Sequence, residues 1–82
     1  KEYKNLNNNM ENFIIKFKDQ FIDADEITID ENTEFRHLDS YDSLTGMAII
    51  MMIEDEYDVK IEDDVYKKLN TPREIFNYLK QK

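Results

Sequence analysis

The 82-residue chain carries 19 Asp and Glu against 11 Lys and Arg, a formal charge of −8, with 40% hydrophobic and 12% aromatic residues and no cysteine. A net anion without a concentrated basic face is not built to hold a phosphate backbone, and the missing thiols exclude disulfides, cysteine nucleophiles and cysteine-ligated zinc. One small domain fits this length, too little for an elaborate catalytic cleft, and no apolar stretch approaches a membrane span or signal peptide, so a cytoplasmic protein that does not insert into membranes is expected.

In chain order, residues 1–9 are polar and aperiodic, with Asn5, Asn7, Asn8 and Asn9, and read as an extension or expression remnant ahead of a domain spanning 10–82. With Asn9 as N-cap, Phe13, Ile14, Phe17 and Phe21 recur at helical spacing and predict an amphipathic helix ending near Ile22. Residues 23–42 show no sustained period and predict a long loop pinned to the core by Ile27, Ile29, Phe35 and Leu38. The stretch 26–29 is ambiguous between loop and strand.

A second helix is predicted over Ser43 to Tyr57. On a helical wheel Ile49, Ile50, Ile53 and Tyr57 share one face, while Leu44, Met47, Ala48 and Met51 form another at i, i+3, i+4 and i+7. A domain this small cannot easily bury both, so either the helix is central or something else covers the second face. Methionine suits a surface that repacks against different shapes. A short helix between Asp63 and Leu69 would use Val65 and Leu69. The last begins at Thr71-Pro72-Arg73-Glu74, a capping box with proline in the first turn, and buries Ile75, Phe76 and Leu79. The sum is an all-α four-helix bundle with a long loop between its first two helices.

The charge is uneven. Between Asp19 and Asp64 sixteen acids face only Arg36 and Lys60, a net of −14, whereas residues 1–18 carry +2 and residues 65–82 carry +4. Such a block is either a well-solvated surface or the complement of a basic partner.

Catalytic inventories fail. His37 is the lone histidine and lies in the loop, where a Ser-His-Asp arrangement would need fortunate placement. The run Asp23 to Glu34 has acids at the first, third and twelfth positions of a calcium loop, but Ile27 and Thr28 stand where an oxygen donor and a glycine are needed. Ser43 is the residue to single out: it follows Asp42 at a loop-to-helix corner, where a phosphate would meet the positive end of the helix dipole. Alone, the Asp-Ser pair is merely an N-cap signal.

Context adds to it. Asp42-Ser43-Leu44, opening a helix that ends in Glu54-Asp55-Glu56-Tyr57 and is followed by Asp58-Val59-Lys60-Ile61, resembles the acyl and peptidyl carrier protein family over essentially Met10 to Leu79. The resemblance implies that Ser43 carries 4′-phosphopantetheine from coenzyme A, with Asp42 and Leu44 completing the motif. Ser40 competes, but Tyr41 rather than leucine follows it. A carrier of this kind is no enzyme. It works as a monomer that shelters its cargo between its helices, is loaded by a phosphopantetheinyl transferase, and delivers acyl thioesters to synthase or acyl-transferring enzymes with basic docking patches. The implied docking surface is Met47, Ala48 and Met51, rimmed by Glu54 and Asp55.

Three departures from the family pattern stand out. Ser40 replaces a common glycine, and Thr45 and Ala48 occupy places often held by acids. The last two thin the charge near Ser43, and together the changes bring a specialised biosynthetic pathway into view beside fatty-acid synthesis. The rival reading is a non-carrier helical interaction module whose Met-rich face binds a partner helix.

Overall fold

The computed structural model describes the backbone of residues 2–81 and the side chains of residues 10–81. Its elements are α1 (Glu2–Lys18), one 3-10 turn (Phe35–His37), α2 (Ser43–Tyr57), α3 (Asp63–Tyr66) and α4 (Pro72–Lys80). The described residues contain no strand, and the ambiguous stretch 26–29 is irregular, in keeping with the all-α expectation.

Helix α1 differs from expectation at both ends. Its backbone helix starts at Glu2 rather than after Asn9, because asparagine's modest helix propensity does not stop a helix extending back from a firmly packed apolar face. Whether residues 1–9 are an added segment concerns side chains outside those described. At the other end the α-helix stops at Lys18, and three- and four-residue turns take over: the Gln20 and Phe21 amides donate to the Phe17 and Lys18 carbonyls at 3.1 and 3.0 Å. That tightening still delivers Phe21 to the core while turning Ile22 outward.

The core is aromatic at its α1 side. Phe13 packs on Phe76 of α4 and Tyr57 of α2, with ring centroids 5.5 and 5.7 Å apart, and Phe17 meets Phe35 of the loop edge-on at 5.0 Å. Each such pair contributes about 0.5–1.5 kcal/mol beyond simple burial. Ile49, Ile53 and Ile75 are fully buried among them. Of the four loop residues expected to pin the loop, Ile29 and Phe35 are buried, and Ile27 and Leu38 pack half-buried against the core.

Helix α4 begins as its sequence requires. The Glu74 amide donates to Thr71 Oγ1 at 3.2 Å, but the Glu74 carboxylate reaches back to the Asn70 amide at 2.7 Å, one residue beyond the usual box partner. The loop is tied to this end: the Arg73 amide donates to the Glu31 carbonyl at 2.9 Å, and the two side chains pair. Helix α3 is shorter than expected, with Tyr66 as its buried anchor and Val65 and Leu69 only half-buried.

A polar clamp joins loop, α2 and α3. Arg36 donates through Nη2 to the carbonyls of Leu69, at 2.9 Å, and Tyr66, and through Nη1 to the Tyr41 hydroxyl at 3.3 Å. Its guanidinium lies 4.6 Å over the Tyr66 ring, and the Tyr41 and Tyr66 hydroxyls share a hydrogen bond of 3.0 Å. Gly46 makes room for this. A Cβ there would stand 2.6 Å from the Tyr41 hydroxyl, which its two bonds hold in place. Close packing therefore explains the only glycine of the chain.

Gly46→Ala is expected to destabilise the protein by about 1–3 kcal/mol through overpacking, despite alanine's better helix propensity. In a Tyr41→Phe background the nearest remaining neighbours lie at 3.5 and 3.6 Å, so the same change should be neutral or stabilising. Urea denaturation of the four proteins measures the coupling.

Candidate functional site

The loop-to-helix corner is built by Asp42. With extended backbone (φ −149°, ψ −176°) it caps α2: its Oδ1 accepts from the Thr45 amide at 2.8 Å and the Thr45 hydroxyl at 3.0 Å, and its carbonyl accepts from the Gly46 amide at 3.0 Å. The Thr45 amide bond, then the hydroxyl bond, hold the Asp42 carboxyl below its ordinary value. Ser43 follows as the first residue of a 15-residue helix, with its side chain exposed. The Ser40 hydroxyl, by contrast, is buried without a hydrogen-bond partner.

Next to Ser43 lies uncovered apolar surface. Leu44, Met47 and Met51 are 73%, 59% and 61% exposed, and Ala48 is half-buried between them. Of the two faces read from the wheel, the isoleucine face fills the core, joined by Met52, and the other is left open. Glu54 and Asp55 are exposed at its far end. Glu56 instead pairs with Lys16 of α1 at 3.1 Å, which leaves it less available to a partner.

Three features of this surface are not evident in the sequence. Ile22, at 93% exposure, lines a shallow hollow with Asp42 and Leu44, so the apolar face continues onto the turn after α1. Its place outside the Phe13, Phe17, Phe21 spacing was the available signal. Thr45, read above as a thinning of surface charge, is buried inside the cap, and only Ala48 bears on the outer face. Arg36, one of two cations in the acidic block, is the clamp under the corner.

The other sequence candidates do not assemble. His37 is exposed and lies 3.3 Å from the Glu34 carboxylate. In the calcium-like run Asp30 spends its Oδ1 on the Asn32 amide and the Thr33 hydroxyl, and no group of metal-binding side chains forms among the described residues. Nor is any helix among them long and apolar enough to cross a membrane.

The model of the phosphopantetheine attachment site family matches residues 19–79. An acyl carrier protein of Buchnera aphidicola subsp. Schizaphis graminum is 35% identical over 75 residues, covering 92% of this chain and 95% of the relative. The chain belongs to the acyl carrier protein family. The acyl carrier proteins of Lactobacillus acidophilus, 34% identical over 68 residues and covering 79% of this chain and 85% of the relative, and of Picosynechococcus, 36% identical over 61 residues and covering 74% and 73%, agree. No solved structure matches significantly. The carrier's prosthetic group is 4′-phosphopantetheine, and it is a carrier rather than an enzyme. Family membership also sets aside the non-carrier interaction module.

Because the folded pKa of Asp42 is depressed, its cap stabilises the fold above the ordinary carboxylate range and loses that contribution as pH falls through the lowered value. Asp42→Asn keeps a capping side chain that cannot titrate, so the loss of stability between about pH 6 and about pH 3 should be smaller than in the parent. Urea midpoints across that range measure the difference.

Proposed function

We propose that Ser43 carries the phosphopantetheine arm, and that the arm presents acyl thioesters to enzymes that dock on the adjoining face of α2. The observation that carries this reading is the contrast between the two Asp-Ser candidates: Ser43 is exposed at the start of α2, whereas the Ser40 hydroxyl is buried. The corner suits a phosphodiester. An anion attached to the first residue of α2 sits at the positive end of the helix, with Asp42 already engaged in its cap. Asp42 and Leu44 then flank the attachment point, the first shaping the corner and the second offering apolar surface to the loading enzyme.

The docking partners are a phosphopantetheinyl transferase, then synthase or acyl-transferring enzymes of fatty-acid or specialised biosynthesis. Met47, Ala48 and Met51 supply a contact surface that desolvates readily, and Glu54 and Asp55 supply the charge that steers a basic patch toward it. In a monomer this face is available to one enzyme at a time, as successive deliveries require.

Incubation with transferase and coenzyme A should raise the intact mass by that of one phosphopantetheine arm. Ser43→Ala should fold normally and gain nothing, and a gain on that variant would overturn the assignment. Reversing Glu54 and Asp55 to lysine should lower the transferase's kcat/KM by about 10-fold or more at low salt through slower association, a deficit that shrinks as salt is added. Initial rates at two ionic strengths provide the check.

A further inference from the structure

A carrier can hold its cargo inside the bundle or outside it. We propose that Tyr41 and Tyr66 close the interior below Ser43, so that this carrier displays its acyl group on its surface and suits short or polar cargo rather than a long alkyl chain. The inference builds on the attachment reading above, which sets where the cargo begins.

From Ser43 the way inward passes the buried side of the first turns of α2, at Thr45, Gly46 and Ile49. A glycine there would ordinarily leave a gap beside the helix. Here the gap is taken: the Tyr41 hydroxyl stands 2.6 Å from where a Cβ would be, and Tyr66 Cε2 lies 3.6 Å from the same point. Neither ring is loose. The hydroxyls bond each other at 3.0 Å, Arg36 holds Tyr41 Oη at 3.3 Å and also bonds the Tyr66 carbonyl, and Tyr66 is only 6% exposed. Fully buried Phe35 backs the pair, with centroids 5.5 Å from Tyr41 and 6.3 Å from Tyr66.

An alkyl chain entering here would have to displace two phenols. Doing so would strand their hydroxyls and an Arg36 N–H in apolar surroundings, a larger penalty than shelter for a few methylenes returns. Burial and the bond to Tyr41 also push the Tyr66 phenol well above its ordinary pKa, so it stays a neutral, bonded hydroxyl at any physiological pH. The alternative resting place is outside, in the open hollow shared by Ile22 and Leu44.

The test compares holo and octanoyl forms of the full chain, made with transferase and coenzyme A or octanoyl-coenzyme A. Amide shifts on acylation should stay near Ile22, Leu44 and Met47, and hydroxylamine should cleave the thioester within about 2-fold of the rate for free octanoyl-pantetheine. Shifts at Ile53, Ile61 and Ile75, or cleavage slowed about 10-fold or more, would overturn the inference. A chain whose intact mass shows no arm would instead sink the attachment reading. The closed interior is then decided on the unmodified protein under xenon pressure: unchanged Ile49 and Ile53 methyl resonances support it, and xenon-induced shifts overturn it.

Discussion

Arg36 holds together three parts of the chain that would otherwise meet through apolar contact and one hydroxyl bond between Tyr41 and Tyr66. Its guanidinium takes up the carbonyls of Tyr66 and Leu69, where the short helix α3 ends, and the hydroxyl of Tyr41, just before α2 begins. Hydrogen bonds from a charged donor contribute about 1.5–3 kcal/mol each when partly buried, enough to offset the ordering of a long loop and a one-turn helix. The Nε of Arg36 is buried without a partner, which costs part of that gain. The corner rests on this clamp through Tyr41. Tyr41 is fixed against Gly46, Asp42 arrives in extended backbone to cap α2, and Ser43 is turned to solvent.

The acidic block divides in the same physical terms. Several of its charges are committed to the fold: Asp42 to the α2 cap, Glu56 to Lys16, Glu31 to Arg73 and Asp30 to its own turn. Glu54 and Asp55 remain exposed beside Met51, and in the proposed docking they are the charges that would meet a basic partner. In the proposed docking, an apolar stripe with an anionic rim would combine two separable effects, the rim governing encounter and the stripe the area desolvated after it. Ile22 widens that stripe beyond α2, so an enzyme docking there would touch the turn after α1 as well.

Much of this is legible in the sequence. The bounds of α2 agree to the residue because Asp42 is a strong cap and the apolar pattern stops at Tyr57, and α4 follows its Thr71-Pro72 signal. The open Leu44, Met47, Met51 face was readable as one face too many for so small a core. What escaped notice depended on distant parts of the chain. Arg36 stands in the sequence only as one of two cations in the acidic block because the carbonyls it holds lie thirty or more residues away, and Tyr66 does not stand out beside Val65 and Leu69 because a one-turn helix carries too little periodicity to rank its residues. Thr45 was misread as surface because its role, donating to Asp42, exists only once the cap forms. The start of α1 failed for another reason: local propensity is a weak guide when a packed face can carry a helix past it.

The proposed carrier role turns on where the arm is attached. The wild-type chain, loaded by a transferase with coenzyme A and then digested, can be mapped by fragmentation mass spectrometry over the peptide containing Ser40 and Ser43. Attachment at the α2 corner predicts the added mass on Ser43 alone. Mass on Ser40, or on any other residue, would contradict it.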